Sequence, residues 1–197
     1  MSDLPPKSPF EFFSKCFDLA RQMSLPQYEA MVLITATKAA KPSGRMVLLK
    51  DCVPEHSFRF FTNFDSRKSL ELQENPQAQL LFYWPALGRQ IRIEGMVRKA
   101  SDAESDRYFK SRNRGSQIGA MASLQSRPLS SAQELQERVK KLTEEFAQKE
   151  IPRPENWGGF ELVADYFEFW EDRADRLHER ITYRKVGTGW EQGRLWP

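Results

Sequence analysis

The feature that most constrains the fold of this chain is a series of short segments in which apolar and polar residues alternate. In residues 30–38, for example, Val32, Ile34 and Ala36 occupy every second position. A period of two is typical of a β-strand that buries one face. Most of these segments follow one another through short turns and do not alternate with helices. The pattern therefore favours an antiparallel sheet over a parallel, doubly wound one.

The same criteria predict the remaining elements. Further strands are predicted for residues 46–51, 58–63, 79–84, 89–99, 160–170, 179–185 and 190–195, the last two joined by a glycine-containing hairpin turn. Helices are predicted for residues 8–22, 66–75, 102–111 and 131–149, with a short one starting at Ser116. The apolar stripe of the 131–149 helix fits core packing better than partner binding. The predicted class is mainly β with flanking helices (α+β), an antiparallel barrel or sandwich.

Composition narrows the class of protein further. A chain of 197 residues predicts one domain over residues 1–197, with residues 1–8 flexible. A formal net charge of +3 is too small to predict nucleic-acid binding, and two cysteines form no disulfide framework or metal-binding pattern. The sequence has no apolar run of the roughly 20 residues that span a bilayer. It also has no signal or transit peptide pattern, so the predicted location is the cytoplasm without membrane attachment.

A helix start with two cations suggests an anion site. Ser66 is a good N-cap for the predicted 66–75 helix, yet Arg67 and Lys68 follow it. Helix starts carry partial positive charge and favour acidic residues, so cations are expected there if an anion shares the site. The alternative is that both are solvated surface cations.

A second group of residues suits a phosphate monoester. Tyr108 and Arg112 lie four residues apart, on one face of a predicted helix, and point towards the helix start predicted at Ser116. Gln125 and Ser126 add small polar donors in the loop that follows.

Two further basic segments each allow more than one interpretation. On a regular strand Arg45 and Lys50 would lie on opposite faces and serve different groups, whereas a bulge would bring them together. If residues 176–180 are extended, Arg176, His178 and Arg180 project from one face at a spacing of two. Such a row either lies against an anionic or electron-rich ligand or is neutralised by nearby acidic residues, for which the candidates are Asp172, Asp175 and Glu179. The sequence has no metal-ligand cluster and no nucleophile motif, so phosphates are expected to act as binding handles while a redox cofactor supplies the chemistry.

Several motifs together resemble the pyridoxine (pyridoxamine) 5′-phosphate oxidase family. The resemblance runs from about Phe10 to the C-terminus. It is carried by residues 42–50 (PSGRMVLLK), 58–68 (FRFFTNFDSRK), 90–95 (QIRIEG), 108–112 (YFKSR), 116–119 (SQIG), 157–159 (WGG) and 176–180 (RLHER). It implies an FMN-binding split β-barrel of antiparallel Greek-key type, built as a homodimer with two active sites at the subunit interface.

The resemblance also implies roles for individual residues. The expected FMN contacts are Arg45, Met46, Val47, Leu48, Phe61, Thr62, Arg67, Lys68, Gln90, Gln125, Ser126, Trp170 and Arg180. The expected contacts of the substrate phosphate are Lys50, Tyr108, Arg112 and Ser116. Arg176 and His178 are expected over the pyridine ring of the substrate, where they would be the catalytic residues.

The implied reaction is oxidation of pyridoxine or pyridoxamine 5′-phosphate to pyridoxal 5′-phosphate, with electrons passing through FMN to O2 and giving H2O2. The alternative is a protein that binds flavin or the phosphorylated vitamer on the same barrel without turnover. The sequence departs from the family at residues 38–41 (KAAK), where an Asp-Gly hairpin turn is usual and Ala does not favour positive φ. It also begins close to the first shared helix, without the basic, tyrosine-bearing segment that lies over the substrate in some members.

Overall fold

The strand pattern of the sequence produces one antiparallel sheet. A computed structural model describes residues 6–53 and 56–197, and within them nine strands share this sheet. The strands are β1 Ala30–Ala36, β2 Pro42–Leu48, β3 Asp51–Val53, β4 Ser57–Asn63, β5 Gln77–Trp84, β6 Arg89–Lys99, β7 Trp157–Glu171, β8 Glu179–Val186 and β9 Gly189–Arg194. The predicted class, mainly β with flanking helices, is confirmed.

Five α-helices flank the sheet in the described residues. They are α1 Pro9–Gln22, α2 Arg67–Glu74, α3 Asp102–Ser111, α4 Arg114–Ala122 and α5 Ala132–Glu145. Ser8 caps α1 by accepting a hydrogen bond from the Glu11 N–H, and Pro9 occupies the first helical position, as the sequence predicts. The proposed flexibility of residues 1–8 concerns positions that, up to residue 5, lie outside the described residues.

The order of the strands requires the sheet to curl. Neighbouring strands run β2-β1-β5-β6-β7-β4-β3, with β8 and β9 continuing from β7. The strands β2 and β3 thus lie at opposite ends of this order, yet only Leu49 and Lys50 connect them. Two residues span less than about 10 Å, so the two ends of the sheet must approach each other, as in a partly closed barrel.

The single strand predicted over residues 46–51 is therefore wrong. The chain leaves β2, which pairs with β1, and enters β3, which pairs with β4. At this crossing the Leu49 N–H donates to the Glu29 carbonyl oxygen, and the Lys50 N–H donates to the Arg59 carbonyl oxygen. Alternation of apolar residues does not reveal such a change of partner.

Two apolar clusters hold the helices in place. Phe10 and Phe13 of α1 pack on Phe58 and on Phe167 and Phe82 of the sheet, all of them buried. A smaller cluster is formed by Phe109 of α3, Ile118 of α4, Ile151 and Trp157. Val139 and Leu142 of α5, and Phe146 at its C-terminal end, pack against it. The apolar stripe of α5 therefore serves core packing, the interpretation that the sequence favoured.

The β1–β2 hairpin forms although its turn lacks glycine. Ala40 takes up φ of 58°, in the left-handed region, and its N–H donates to the Thr37 carbonyl oxygen at 2.9 Å. A non-glycine residue there costs about 1–2 kcal/mol. Pairing of Ala36 with Pro42 in the adjoining ladder maintains the turn. None of the helices in the described residues is long and apolar enough to cross a membrane.

Candidate active site

One cavity gathers most of the predicted phosphate-binding residues. It has a volume of about 430 Å³ and lies among β2, β4, the start of α2, α3 and α4. Its lining includes seven of the predicted cofactor contacts, which are Met46, Val47, Leu48, Phe61, Thr62, Lys68 and Gln125. It also includes all four predicted contacts of the substrate phosphate, which are Lys50, Tyr108, Arg112 and Ser116.

Lys68 supplies a buried positive charge at this cavity. Its side chain is 8% exposed, and Nζ contacts the Thr62 hydroxyl at 3.1 Å, the Ser66 hydroxyl at 3.0 Å and the Gln125 amide oxygen at 2.7 Å. Among the described residues no carboxylate lies within ion-pair distance of Nζ. Burial, and then the charge of Arg45, lower the pKa of Lys68 from 10.5 to about 8. A buried ammonium group with only neutral partners is suited to an anionic ligand.

Arg45 and Arg67 lie beside this cation without lining the cavity. Ser66 is the N-cap of α2, as predicted, but its hydroxyl donates to the Asn63 carbonyl oxygen and makes no capping bond. The Arg67 Nε donates to Glu71 at 2.8 Å. One guanidinium nitrogen of Arg45 donates to the same carboxylate at 3.3 Å. Both arginines therefore share one acidic partner.

Arg112 provides the second cationic group of the cavity. Its guanidinium carbon lies 4.8 Å from the centre of the Trp157 ring, and its Nη1 is buried without a hydrogen-bond partner in the described part of the chain. Burial lowers the pKa of Arg112, and the nearby Tyr108 opposes this. The Tyr108 ring stacks on that of Phe61 with their centres 4.0 Å apart. An unpaired N–H beside a cavity is what an oxygen of a bound ligand would satisfy.

The helix start predicted at Ser116 is wrong. The helix α4 begins at Arg114, and its N-cap is Asn113, whose side-chain oxygen accepts the Ser116 N–H at 2.8 Å. Asn is as good an N-cap as Ser, and the sequence offered both within four residues. Ser116 is consequently in the first turn, where it still lines the cavity.

Lys50 lines the cavity but already has an acidic partner. Its Nζ lies 2.6 Å from Oε2 of Glu29. The prediction that Arg45 and Lys50 lie on opposite faces of one strand does not apply, because β2 ends at Leu48. Ser126, a predicted cofactor contact, does not belong to the cavity lining and has φ of 71°.

The remaining predicted site residues form a separate group. Gln90, Trp170 and Arg180 lie side by side on β6, β7 and β8. The Arg180 Nε donates to the buried Glu168 at 2.9 Å, and one of its other nitrogens donates to the Trp196 carbonyl oxygen, also at 2.9 Å. The His178 ring lies 4.6 Å from that of Trp170.

The extended row predicted for residues 176–180 is wrong in its first half. Residues Ala174–Arg176 form a 3₁₀ turn in which Asp175 and Arg176 both have positive φ, and β8 begins only at Glu179. Two adjacent residues in the left-handed region require a turn, which alternation of charges does not reveal. Arg176 and His178 therefore do not project from a common strand face.

The acidic neighbours neutralise only part of this segment. Asp172 lies 3.1 Å from Nδ1 of His178, and Glu179 pairs with Arg173 and Arg194. Within the described residues Arg176 has no ion pair and no hydrogen bond from its side chain. Acidic contacts thus account for His178 and Arg180, and a ligand lying against this segment stays a prediction.

The cavity and the second group lie at opposite ends of β7. Trp157, at the cavity, and Trp170, in the second group, are separated by 13 residues of this strand. At 3.3 Å per residue this is about 40 Å along the strand. One chain therefore does not bring Arg176, His178, Gln90, Trp170 and Arg180 into the cavity.

Three buried or half-buried carboxylates were missed by the sequence interpretation. They are Glu29, Glu71 and Glu168, and each pairs with a predicted site cation. Only Glu71 had a local signal, since it follows Arg67 by four residues on one helix. The other two meet their partners through the folding of the sheet.

A curled antiparallel sheet whose two ends meet beside a cation-lined cavity defines a split-barrel protein. Comparison with known proteins identifies the group. The model of the pyridoxamine 5′-phosphate oxidase family matches residues 20–146, and that of the pyridoxine 5′-phosphate oxidase C-terminal dimerisation region matches residues 157–197. The chain belongs to the pyridoxamine 5′-phosphate oxidase family, and it is an oxidoreductase.

Individual relatives agree with this assignment. The chain is 46% identical to the pyridoxine/pyridoxamine 5′-phosphate oxidase of Rhodospirillum rubrum, over the whole length of both. It is 49% identical to that of Psychromonas ingrahamii, covering 96% of this chain and 87% of the relative. Among solved structures, PhzG from Burkholderia lata 383, in complex with tetrahydrophenazine-1-carboxylic acid, has a TM-score of 0.93 at 29% identity and covers 99% of this chain and 95% of PhzG.

A second solved structure supports the fold alone. A pyridoxamine 5′-phosphate oxidase-related, FMN binding protein from Nostoc punctiforme has a TM-score of 0.75 at 16% identity. The superposition covers 96% of this chain and 98% of that protein. The predicted split-barrel fold is thereby confirmed.

Proposed function

We propose that this protein is an FMN-dependent oxidase that converts pyridoxine 5′-phosphate and pyridoxamine 5′-phosphate to pyridoxal 5′-phosphate, with O2 as electron acceptor and H2O2 as product. The observation that supports this most directly is that two cationic residues without a carboxylate partner in the described part of the chain, Lys68 and Arg112, line one cavity. Two phosphate-bearing molecules, the cofactor and the substrate, would account for both. Relatives that carry the oxidase name over their full length support the reaction class.

The residues at the start of α2 fit the phosphate of FMN. Lys68 offers a buried charge whose present contacts are all neutral oxygens, and the first N–H groups of α2 have no acceptor within the helix. Thr62, Gln125 and the arginines Arg45 and Arg67 would complete the binding of this phosphate. FMN, when bound, would accept two electrons from the 4′ carbon of the substrate and pass them to O2.

The phosphate of the substrate would bind at the other end of the cavity. The cavity lining supplies four residues that would contact it, Arg112, Tyr108, Ser116 and Lys50. The packing of the Arg112 guanidinium on Trp157 holds it in place before the substrate arrives, so little freedom is lost on binding. These groups would fix the position of the vitamer without taking part in electron transfer.

The second group of residues would reach the cavity from a partner chain. In a twofold dimer, the contributions are reciprocal: each chain supplies the same residues to the site of the other chain. The cavity of one protomer would thus be completed by five residues of the other, which are Gln90, Trp170, Arg176, His178 and Arg180. This arrangement is motivated by the separation of these residues from the cavity within one chain. Four of these five residues, all except Gln90, belong to the segment matched by the dimerisation-region model.

Within such a shared site, Arg176 and His178 would orient the substrate ring and assist proton movement. Nδ1 of His178 lies 3.1 Å from a carboxylate oxygen of Asp172, which leaves Nε2 to exchange a proton with the substrate. Arg180, held by Glu168, would place positive charge where electrons accumulate during the reaction.

Anaerobic mixing with each vitamer tests this function. We expect the purified protein to be yellow, and its flavin absorbance to bleach when pyridoxamine or pyridoxine 5′-phosphate is added without air. Bound flavin that neither compound bleaches would contradict the proposal and indicate a binding protein without turnover. Bleaching by a nitrogen-heterocyclic acid such as tetrahydrophenazine-1-carboxylic acid, and not by the vitamers, would instead indicate a reaction on the ligand bound to PhzG.

A further inference from the structure

The carboxylate of Glu71 is the common partner of the polar side chains next to the proposed cofactor phosphate site. Glu71 lies on α2 and is 4% exposed. Its Oε1 accepts from the Arg67 Nε at 2.8 Å. Its Oε2 accepts from Arg45 and from two hydroxyl groups, those of Thr35 and Ser43. Four donors from β1, β2 and α2 thus converge on one side chain.

This carboxylate is firmly ionised. Burial alone would raise the pKa of Glu71, but the hydrogen bonds from Ser43, Thr35 and Arg67 and the charge of Arg45 lower it to about 2. Glu71 therefore carries its full negative charge throughout the working pH range of a protein. A negative charge so close to an anion site weakens anion binding unless it does something that offsets the repulsion.

Orientation of the arginines is such an effect. The Arg67 side chain is 57% exposed and would otherwise sample many rotamers, and an arginine carries about 2 kcal/mol of rotamer entropy. Arg45, Arg67 and Lys68 are also three cations in one place, and the charge of Arg45 already lowers the pKa of Lys68. An acidic side chain between the arginines keeps them close together in the absence of any other anion.

We propose that Glu71 is a positioning residue that holds Arg45 and Arg67 ready for the phosphate group of FMN. The inference depends on the proposed function, because that function assigns FMN phosphate to this end of the cavity. Glu71 itself would not contact the phosphate, since its carboxylate is negatively charged, buried, and occupied at both oxygens by these donors.

The substitution Glu71→Gln tests this role because it keeps the size of the side chain. The amide of glutamine has only one acceptor oxygen. If that oxygen stays with Thr35, Ser43 and Arg45, the amide NH2 group faces the Arg67 Nε. Both groups are hydrogen-bond donors, so they repel each other. Arg67 would then be released. Glu74→Gln, an exposed glutamate on the same helix, is the matched control for the loss of one negative charge.

The measurement compares two flavins, FMN and riboflavin, which differ only in the phosphate. Kd for each is obtained from the quenching of flavin fluorescence by the flavin-free protein. For Glu71→Gln we expect Kd for FMN to rise about tenfold or more, the effect of losing one charge-assisted hydrogen bond, with Kd for riboflavin unchanged within about twofold. An equal rise for both flavins would mean a merely structural role and would overturn the inference, as would an FMN affinity like that of Glu74→Gln.

A second comparison separates this inference from the proposed function and from a folding defect. If the wild-type protein does not bind FMN, the proposed function fails whatever Glu71 does. In an Arg67→Ala background we expect Glu71→Gln to have a much smaller effect on Kd for FMN, because the two residues act together. Full additivity of the two effects on Kd would contradict the inference.

A second variant serves if Glu71→Gln does not fold. Ser43→Ala removes one donor to Oε2 of Glu71, and it should raise Kd for FMN about two- to fivefold and leave Kd for riboflavin unchanged. Parallel loss of both flavins would again overturn it.

Discussion

The amide oxygen of Gln125 lies 2.7 Å from the ammonium nitrogen of Lys68. This contact joins the loop after α4 to the first turn of α2, and both residues line the cavity. A neutral oxygen therefore takes the place where most buried lysines have a carboxylate, and the charge on Lys68 is left for a ligand. Much of the electrostatic behaviour of the proposed site follows from this pair.

Affinity for FMN should fall as pH rises above about 8. The pKa of Lys68 is about 8 without an anion, and a bound phosphate would raise it, so FMN binding at higher pH must take up a proton. We expect Kd for FMN to increase by up to about tenfold per pH unit between 8 and 10. In Lys68→Arg the side chain stays charged, and the slope should be absent. Equal slopes for both proteins, measured by fluorescence titration, would contradict this role for Lys68.

Removing the buried charge should stabilise the flavin-free protein. The unfolded chain keeps the Lys68 proton up to its ordinary pKa of 10.5, whereas the folded chain releases it near 8. Lys68 therefore disfavours folding below pH 8, and this penalty disappears as pH rises towards 10.5. We expect Lys68→Met to raise the free energy of unfolding at pH 7 by up to about 3 kcal/mol, while abolishing FMN binding. Urea denaturation of the flavin-free proteins at pH 7 and pH 10 measures this, and a destabilised Lys68→Met protein would contradict it.

Arg112 should control the affinity for substrate and not for cofactor. Replacing it with Ala removes the unpaired Nη1 and its packing on Trp157. We expect KM for pyridoxamine 5′-phosphate to rise at least about tenfold, the effect of one charge-assisted contact, with Kd for FMN unchanged. Arg107→Ala, on the exposed side of α3, is the matched control. Loss of FMN in Arg112→Ala would assign the residue to the other phosphate.

Arg176 should act on the reaction and not on cofactor binding. In Arg176→Ala we expect bound flavin to be retained, while anaerobic bleaching by pyridoxamine 5′-phosphate slows at least about a hundredfold, because substrate orientation is lost. Arg184→Ala, an exposed arginine of β8, provides the control. Stopped-flow absorbance of the flavin gives the rate, and a rate equal to that of the wild-type protein would show that Arg176 has no part in the site.

A glycine at the β1–β2 turn should stabilise the fold. Ala40 has φ of 58°, which glycine adopts without steric cost. We expect Ala40→Gly to raise the free energy of unfolding by about 0.5–1 kcal/mol after the greater entropy of glycine in the unfolded chain is subtracted. Thermal unfolding of the two proteins measures the difference, and a destabilised variant would mean that the turn has another conformation in solution.

Local patterns predicted most elements but not their partners. The bounds of α1 and α3 were predicted from caps and apolar spacing, because these signals act within a few residues. The division between β2 and β3 was missed, since it depends on which strands meet when the sheet curls. The turn at residues 174–176 was missed because neither Asp175 nor Arg176 indicates a positive φ in the sequence, as a glycine would.

The same distinction applies to the candidate site. Eleven of its residues were named from the sequence and line one cavity, because motifs and family resemblance mark residue types directly. The carboxylates that hold the cations, Glu29 and Glu168 in particular, come from distant strands or loops and carry no local pattern. Nor does the sequence reveal that β7 separates the two groups of site residues.

The most direct test of the two-chain site uses a mixed dimer. Arg112→Ala removes a residue of the cavity, and Arg176→Ala removes one from the opposite end of the fold. If each site combines both chains, a heterodimer of the two variants has one site with both defects and one with neither. The two chains would be co-expressed with different tags, purified through both, and assayed with pyridoxamine 5′-phosphate at low concentration.

The shared site predicts that the heterodimer regains about half of the wild-type kcat/KM, whereas each parent homodimer stays far below that value. A heterodimer no more active than its parents would place both residues in a site formed by one chain and would contradict the account.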